Sequence, residues 1–357
     1  MKADPRYHAC IIAGGSGERF WPMSRAHTPK HLLTLFSERT LLEETIQRLK
    51  GVVADQNIWV ITNQEQVPLI QKAIPWFPKG QIIGEPAKRD TAPAAALATG
   101  LVRSRDPNGI VALLPADAVI RDAKRFGEQL LHAFDWAAGS AKESLLTFAI
   151  PARWAATGYG YLELGEEIAA AGDGIRLLRV KRFVEKPDEA TARGYLAAKN
   201  FAWNAGMFVW GAGKFLSEVE RSAPELAAFI REFPAGDPTA YLAAKFASLP
   251  KISVDYAVLE KASSVATVVA QFDWDDVGAW TSLPEHISSD ASGNVSRGLV
   301  VSEGSANNIA VSNGRLIALC GVKDLVVVET ADAILVCHRD AVQDIKKLLP
   351  RVPKEAK

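Results

Sequence analysis

Cysteine is scarce in this chain: three occur among 357 residues, Cys10, Cys320 and Cys337, with neither a disulfide framework nor thiolate metal spacing. They sit in apolar runs, so buried thiols in a reducing compartment are expected. Net charge is also lacking. Lys plus Arg and Asp plus Glu both total 41, which leaves no bulk field to draw the chain to nucleic acid or to an anionic membrane. Neither is expected as a partner, and any phosphate recognition must be local. No stretch approaches the roughly 18 apolar residues of a membrane span, and the first residues, MKADPRYHACIIAGG, hold no sustained apolar segment. A soluble, cytoplasmic protein is expected. Two familiar nucleotide loops are missing as well. No Gly-Lys-Ser or Gly-Lys-Thr is present for a P-loop. Phe20 stands where a dinucleotide fingerprint needs its third glycine, and Pro22 and Pro29 keep the following stretch partly extended where a helix should begin.

What is present begins with Ala9-Cys10-Ile11-Ile12-Ala13, an apolar β-branched run suited to a central strand. It leads into Gly14, Gly15 and Gly17, which can take positive φ and expose amides to an anion. Arg19, Arg25 and Lys30 follow, offering forked and point-like positive charge, the two geometries used on phosphates. A strand, a glycine turn and three cations read as a polyphosphate cradle, although a tight turn with incidental surface cations has the same letters.

Further along, Thr40-Leu41-Leu42-Glu43 has the form of a capping box for a helix reaching Gly51. Strands are expected near 57–62 and 81–84, with a helix over 64–73 interrupted at Pro68. Glu85 follows the third strand. A carboxylate there can accept from the N1–H and exocyclic amine of a guanine. Asp90 or Thr91 either caps the Ala-rich helix that follows or meets a ligand. The apolar strand 109–114 delivers Asp117, which is placed either to meet Mg²⁺ or to cap a helix. After a strand at 144–150, Gly160 lies between two tyrosines, where it admits a sugar ring or makes an ordinary bulge. The half-buried strand 179–184 gives Glu185 and Lys186, the latter a site lysine or a solvated charge. Asp188 caps a helix to Lys199. Asn204 is the one amide in an apolar neighbourhood, a turn bond or a reader of sugar hydroxyls. A helical region broken by prolines at 224, 234, 238 and 250 leads to a strand at 265–272 and then Asp273-Trp274-Asp275-Asp276, a second acidic cluster after a strand.

Alternating strands and helices over residues 1–284 imply an α/β, Rossmann-like mixed and mainly parallel sheet covered by helices. Residues 285–357 read differently: short β-branched runs separated by Gly, Asn and Asp, closed by a helix over 339–349 and a frayed tail. That is a small β domain, built either on hairpins such as one at Asn313-Gly314 or as a β-helix-like stack of coils.

In order, AGGSGERFWPMSR, PK, EPAKRDTAPA, LLPAD, GYGYLE, VEKPD, WNAGMFVW, SVDYAVLEK, DWDDVGAW and the tail GVKDLVVVETADAILV resemble the sugar-phosphate nucleotidyltransferases, and among them the branch that acts on GTP and mannose 1-phosphate. The resemblance covers almost the whole chain and implies GMP transfer to mannose 1-phosphate, giving GDP-mannose and pyrophosphate. It implies that Ala13, Gly14, Gly15, Gly17, Glu85 and Thr91 bind nucleotide and that Arg19, Lys30 and Lys186 are catalytic. Gly160, Glu185 and Asn204 match sugar-binding positions, and Asp117 and Asp276 match ligands of Mg²⁺. Three positions depart from the family's habit: Ala118 where His is frequent, Asp90 where Asn is frequent, and His31 where Gln is frequent. None removes a charged residue with an expected role. Another hexose 1-phosphate or nucleotide, or a catalytically silent GDP-mannose-binding relative, remains an alternative. The isomerase domain of longer bifunctional relatives is not matched, so no isomerase activity is expected. The β tail could support self-association as a homodimer.

Overall fold

A computed structural model describes residues 4–15 and 17–356. The chain forms two compact units, each assembled from separated segments. The first comprises Met1–Ala13, Thr45–Ala116 and Ile120–Trp274; the second comprises Gly14–Glu44, Asp117–Val119 and Asp275–Lys357.

The first unit is built on a nine-stranded sheet. Its strands are β1 (Tyr7–Ala13), β2 (Ile58–Asn63), β3 (Ile82–Glu85), β4 (Ile110–Pro115), β5 (Leu145–Pro151), β6 (Tyr161–Ala171), β7 (Ile175–Val184), β8 (Phe201–Gly211) and β9 (Val265–Val269). Their spatial order is β3-β2-β1-β4-β8-β5-β9-β7-β6. The neighbours from β3 to β4 run parallel, whereas β8 is antiparallel to both β4 and β5. The chain moves from β1 outward to β2 and β3, then returns to the other side of β1 as β4. That reversal between β1 and β4 is a topological switch point, outside whose carboxyl ends open α/β sheets bind ligands. Ile12 lies opposite Pro115 in the β1–β4 register. The segments leaving this point therefore start at the glycine turn and at Ala116-Asp117.

The helices are α1 (Leu41–Leu49), α2 (Val67–Ala73), α3 (Thr91–Arg103), α4 (Ala123–Ala138), α5 (Glu189–Ala198), α6 (Ala212–Ser222), α7 (Pro224–Arg231), α8 (Thr239–Lys245) and α9 (Val254–Ala257). The expected capping box at α1 is present: Glu43 N–H donates to Thr40 Oγ1 at 3.1 Å, and Thr40 N–H donates to the Glu43 carboxylate at 2.9 Å. Pro68 begins α2 where an interruption was expected, because a first-turn proline gives up no intrahelical hydrogen bond. Helix α3 is buried from Ala92 to Val102. An Ala-rich helix with apolar residues all round can lie in a core on every side. Aromatic residues fill the space around it, with Trp210 Nε1–H donating to Thr99 Oγ1 at 3.1 Å. Each fully buried aromatic side chain here contributes on the order of 2–3 kcal/mol of transfer free energy.

In the second unit, strands β10 (Val295–Arg297), β11 (Val300–Glu303), β12 (Ile309–Val311), β13 (Ile317–Cys320), β14 (Leu325–Glu329) and β15 (Ile334–His338) decide between hairpins and coils. β10–β12, β12–β14 and β11–β13 are parallel pairs, so successive turns of chain stack. No hairpin forms at Asn313-Gly314, since β12 pairs with β14 and β13 with β11; the antiparallel return is β14–β15. Buried asparagines tie the coils together. Asn294 Oδ1 accepts from Asn308 N–H at 3.0 Å, and Asn308 Oδ1 accepts from Leu325 N–H at 2.9 Å.

Three further expectations differ from the structure. The closing helix is mainly a 3₁₀ segment, Arg339–Asp344, followed by a single α-turn, α10 (Ile345–Leu348). The tail is docked, with Ala356 C=O accepting from Trp21 Nε1–H at 2.7 Å. Of the cysteines, Cys10 is buried, but Cys337 is half-buried and Cys320 exposed, because alternation along β13 turns Cys320 outward.

Candidate functional site

The glycine turn, its cations and both aspartates expected to bind metal fall within the second unit. Gly17 is the turn residue that requires glycine. Its φ is +63°, and a Cβ there would lie 2.3 Å from the Cβ of Lys30. Gly15 does not take the positive φ open to it. A Cβ on Gly15 would make only an ordinary 3.9 Å contact with Asp117 Oδ2.

Close approach at Gly17 carries Lys30 inward. Lys30 is buried, and its ammonium donates to Asp117 Oδ2 at 2.9 Å and to the main-chain oxygen of Asp276 at 2.6 Å. The two aspartates, 159 positions apart by subtraction of their sequence numbers, thus meet on one lysine nitrogen. Arg19 is part of the same group. A Cβ on Gly278 would lie 3.5 Å from both Arg19 Nη1 and Asp276 Oδ2, so glycine keeps that space open. His31 borders the group, and burial pushes its imidazole down to about 4 despite the Asp117 charge, so it is neutral near pH 7. Asp275 braces the turn. It accepts from Val277 N–H at 2.8 Å and pairs with His286 Nε2 at 2.7 Å.

Asp117 does not cap α4. Asp122 does, accepting from Arg125 N–H at 2.9 Å. No group of three or more His, Cys, Asp or Glu residues suited to a metal occurs among the described residues. The Asp117 carboxylate and the main-chain oxygen of Asp276 meet on one cationic nitrogen, which brings the two aspartates' segments together; one or two carboxylates, with substrate phosphates and water completing the octahedron, are a donor set that suits Mg²⁺. Arg25 is used differently from the expectation of a phosphate cation. Its guanidinium is buried against Asp332 at 2.7 and 2.8 Å and donates to Pro22 C=O at 2.7 Å, which makes it a clamp within the second unit.

The remaining candidates fall within the first unit. Ala13 ends β1, its carbonyl held by Thr62 Oγ1–H at 2.6 Å. Glu85 ends β3. It is buried, Oε1 has no hydrogen-bond partner among the described residues, and desolvation pushes its carboxyl up to about 8. Asp90 caps α3 by accepting from Thr91 N–H at 2.7 Å, while Thr91 Oγ1 accepts from Val254 N–H at 2.9 Å.

Gly160, Glu185, Lys186 and Asn204 are brought together. A Cβ on Gly160 would lie 2.5 Å from Glu185 Oε2 and 3.4 Å from Asn204 Cβ. Lys186, at φ +46°, turns its ammonium onto the Glu185 carboxylate at 2.8 Å, and that hydrogen bond raises the lysine above its ordinary range. Asn204 Oδ1 accepts from Thr147 Oγ1–H at 2.7 Å, and its amide donates to Asp255 Oδ1 at 3.3 Å. Burial, reinforced by the Glu185 charge, pushes Asp255 up to about 7. Neither Asp255 nor the Asp275–His286 pair was assigned from the sequence. Asp255 lies in SVDYAVLEK, where only the resemblance drew notice to it.

These features have counterparts in known proteins. The nucleotidyl transferase family profile matches residues 8–293, and that of the MannoseP isomerase/GMP-like beta-helix domain matches residues 298–352. The chain is 38% identical to alginate biosynthesis protein AlgA of Pseudomonas aeruginosa, over 95% of this chain and 70% of that protein. It is 36% identical to a mannose-1-phosphate guanylyltransferase of Escherichia coli, over 99% of this chain and 75% of that protein. A crystal structure described as mannose-1-phosphate geranyltransferase from Thermus thermophilus matches with a TM-score of 0.86 at 31% identity, covering 97% of this chain and 99% of that one. With a glycine turn after β1, an aspartate after β4 and a profile match across most of its length, the chain belongs to the nucleotidyl transferase family.

Proposed function

We propose that this protein transfers GMP from GTP to mannose 1-phosphate, giving GDP-mannose and pyrophosphate. The observation that carries the reading is the meeting of Lys30, Asp117 and Asp276, in a chain aligned over 99% of its length with a relative named for this activity. A phosphate oxygen of mannose 1-phosphate attacks the α-phosphorus of GTP. A new P–O bond forms, the bond to the β-phosphate bridging oxygen breaks, and pyrophosphate leaves with that electron pair. The attacking oxygen is already ionised near neutral pH, so no general base is required.

The protein's task is to bring anionic groups together and to neutralise the charge that develops. Gly14, Gly15 and Gly17 offer main-chain amides to the triphosphate, and Ala13 and Thr91 contribute to the nucleotide contacts. Arg19 and Lys30 place positive charge on the phosphates. The Glu85 carboxylate accepts from guanine. Lys186 holds the sugar phosphate, while Glu185, Asn204 and the space kept open by Gly160 receive the hexose. Nucleotidyl transferases of this kind use a divalent metal. Asp117 and Asp276 would hold Mg²⁺, which when bound supplies charge neutralisation to phosphate oxygens. We assign catalysis to residues 1–284 and self-association, as a homodimer, to residues 285–357. No helix among the described residues is long and apolar enough to cross a membrane, and free cysteines suit the reducing cytoplasm proposed as its compartment.

The test is pyrophosphate release from a panel of nucleoside triphosphates and hexose 1-phosphates, with Mg²⁺ and with chelator. Highest kcat/KM for GTP with mannose 1-phosphate, lost with chelator, is expected. Preference for UTP or dTTP would overturn the guanylyl assignment, and absence of turnover with every pair would leave a binding protein.

A further inference from the structure

The Asn204 side chain is nearly saturated, and that decides what it can offer a ligand. Its Oδ1 accepts from Gly206 N–H at 3.3 Å and lies 2.7 Å from Thr147 Oγ1, whose single hydrogen serves both Asn204 Oδ1 and Met207 C=O at 2.9 Å. The Gly206 main-chain N–H, which can only donate, fixes the orientation of the amide, because a flipped amide would set Nδ2 against it. The amide nitrogen carries two hydrogens, and one goes to Asp255 Oδ1 at 3.3 Å. What remains for a ligand is a single N–H donor, beside a carboxyl group that accepts.

The surroundings keep that pair in place. Asn204 lies within β8, and its backbone N–H donates to Gly160 C=O at 2.8 Å. Asp255 lies in α9, whose start is capped by Ser253 and tied through Val254 N–H to Thr91 Oγ1 at 2.9 Å. Asp255 is half-buried as a residue, its carboxyl is strongly desolvated, and the charges acting on it belong to Glu185, Lys186 and Asp90. An alcohol is both donor and acceptor. A fixed N–H donor next to a fixed carboxyl acceptor matches one hydroxyl, and a ligand lacking that hydroxyl leaves both groups unpaired in a desolvated place.

We propose that Asp255 is a specificity-determining residue that, together with Asn204, reads one hydroxyl of the hexose: the hydroxyl hydrogen goes to the Asp255 carboxylate, and its oxygen accepts from Asn204 Nδ2–H. This rests on the function proposed above and adds to it a sugar contact from α9.

The experiment measures kcat/KM of the full chain for mannose 1-phosphate and for each of its monodeoxy analogues, at saturating GTP, in the wild type, Asp255→Asn and Asp255→Ala. The wild type should disfavour one analogue by about 100-fold, the scale of a lost charge-assisted hydrogen bond. In Asp255→Ala that ratio should collapse to within about 3-fold while the penalties for the other analogues persist, the hydroxyl having lost its acceptor, whereas Asp255→Asn keeps a neutral carbonyl acceptor and should fall between the wild type and Asp255→Ala. KM for GTP should stay within about 2-fold of wild type, which reports an intact fold that a merely structural Asp255 would not guarantee. Unchanged analogue ratios in Asp255→Ala would overturn the assignment. Failure of the substrate reading appears separately, in the wild type: if it uses another hexose 1-phosphate, the same comparison is made with the deoxy series of that sugar, and if it turns over none, both readings fall.

Discussion

The ammonium of Lys30 sits 2.9 Å from Asp117 Oδ2 and 2.6 Å from the main-chain oxygen of Asp276. One buried cation therefore gathers the two acidic segments that follow strands β4 and β9. Either partner's removal leaves charge uncompensated where anionic substrates must be received. Asp117→Asn and Lys30→Ala should each lower kcat for GDP-mannose synthesis by about 10²–10³-fold, the scale of one lost electrostatic contact to a transition state. Pyrophosphate release under saturating substrates reads the effect, and unchanged kcat in Asp117→Asn would remove that residue from the metal set.

The role proposed for Glu85 would couple guanine binding to a proton. Burial pushes its carboxyl up to about 8, so it is mostly protonated at pH 7, yet guanine's donors require the carboxylate. GTP binding at pH 7 should release close to one proton, seen by calorimetry in buffers of different ionisation enthalpy, and Glu85→Gln should abolish the release. The same shift acts on stability. A raised pKa means a contribution that is full below the ordinary carboxylate value and is lost as pH rises through about 8. Thermal unfolding across pH 5–9 should therefore show Glu85→Gln gaining on the wild type as pH rises.

Gly160 keeps space that Glu185 needs. An added Cβ would meet the buried Glu185 carboxylate at 2.5 Å, so Gly160→Ala should raise KM for mannose 1-phosphate by about 10-fold or more, displacement of a hydrogen-bonding group being worth on the order of 1–3 kcal/mol. KM for GTP should hold. A proportionate rise in both constants would point to a general loss of fold.

Asn308 stitches successive coils of the C-terminal strands, donating to Asn294 Oδ1 and Val322 C=O and accepting from Leu325 N–H. Asn308→Ala strands buried partners and should lower unfolding free energy by about 1–3 kcal/mol. Urea titration measures it. Asn294→Ala combined with Asn308→Ala should cost less than the sum of the two, since the residues share hydrogen bonds.

Much of this molecule was legible in the letters because the physics involved is local. The β1 run, the Thr40–Glu43 capping box, Asp188 as the cap of α5 and the proline-broken helices each depend on neighbours a few residues away. Other features required contacts across the chain. Arg25 has the same sequence context as a phosphate-binding cation, and Asp332, far along the sequence, decides that it is a clamp. The hairpin at Asn313-Gly314 and the stacked coil share a turn signal, and only the parallel pairing of β12 with β14 separates them.

The sequence by itself determined the α/β class, the β-rich tail, the glycine turn and the candidate list from Arg19 to Asp276, since residue type and strand ends follow from local pattern. Only the tertiary structure decided which of those residues meet. Lys30 joins Asp117 to Asp276, and Asn204 is left with one donor beside Asp255, because hydrogen bonds between residues distant in sequence depend on how the strands are ordered. No local pattern encodes that order.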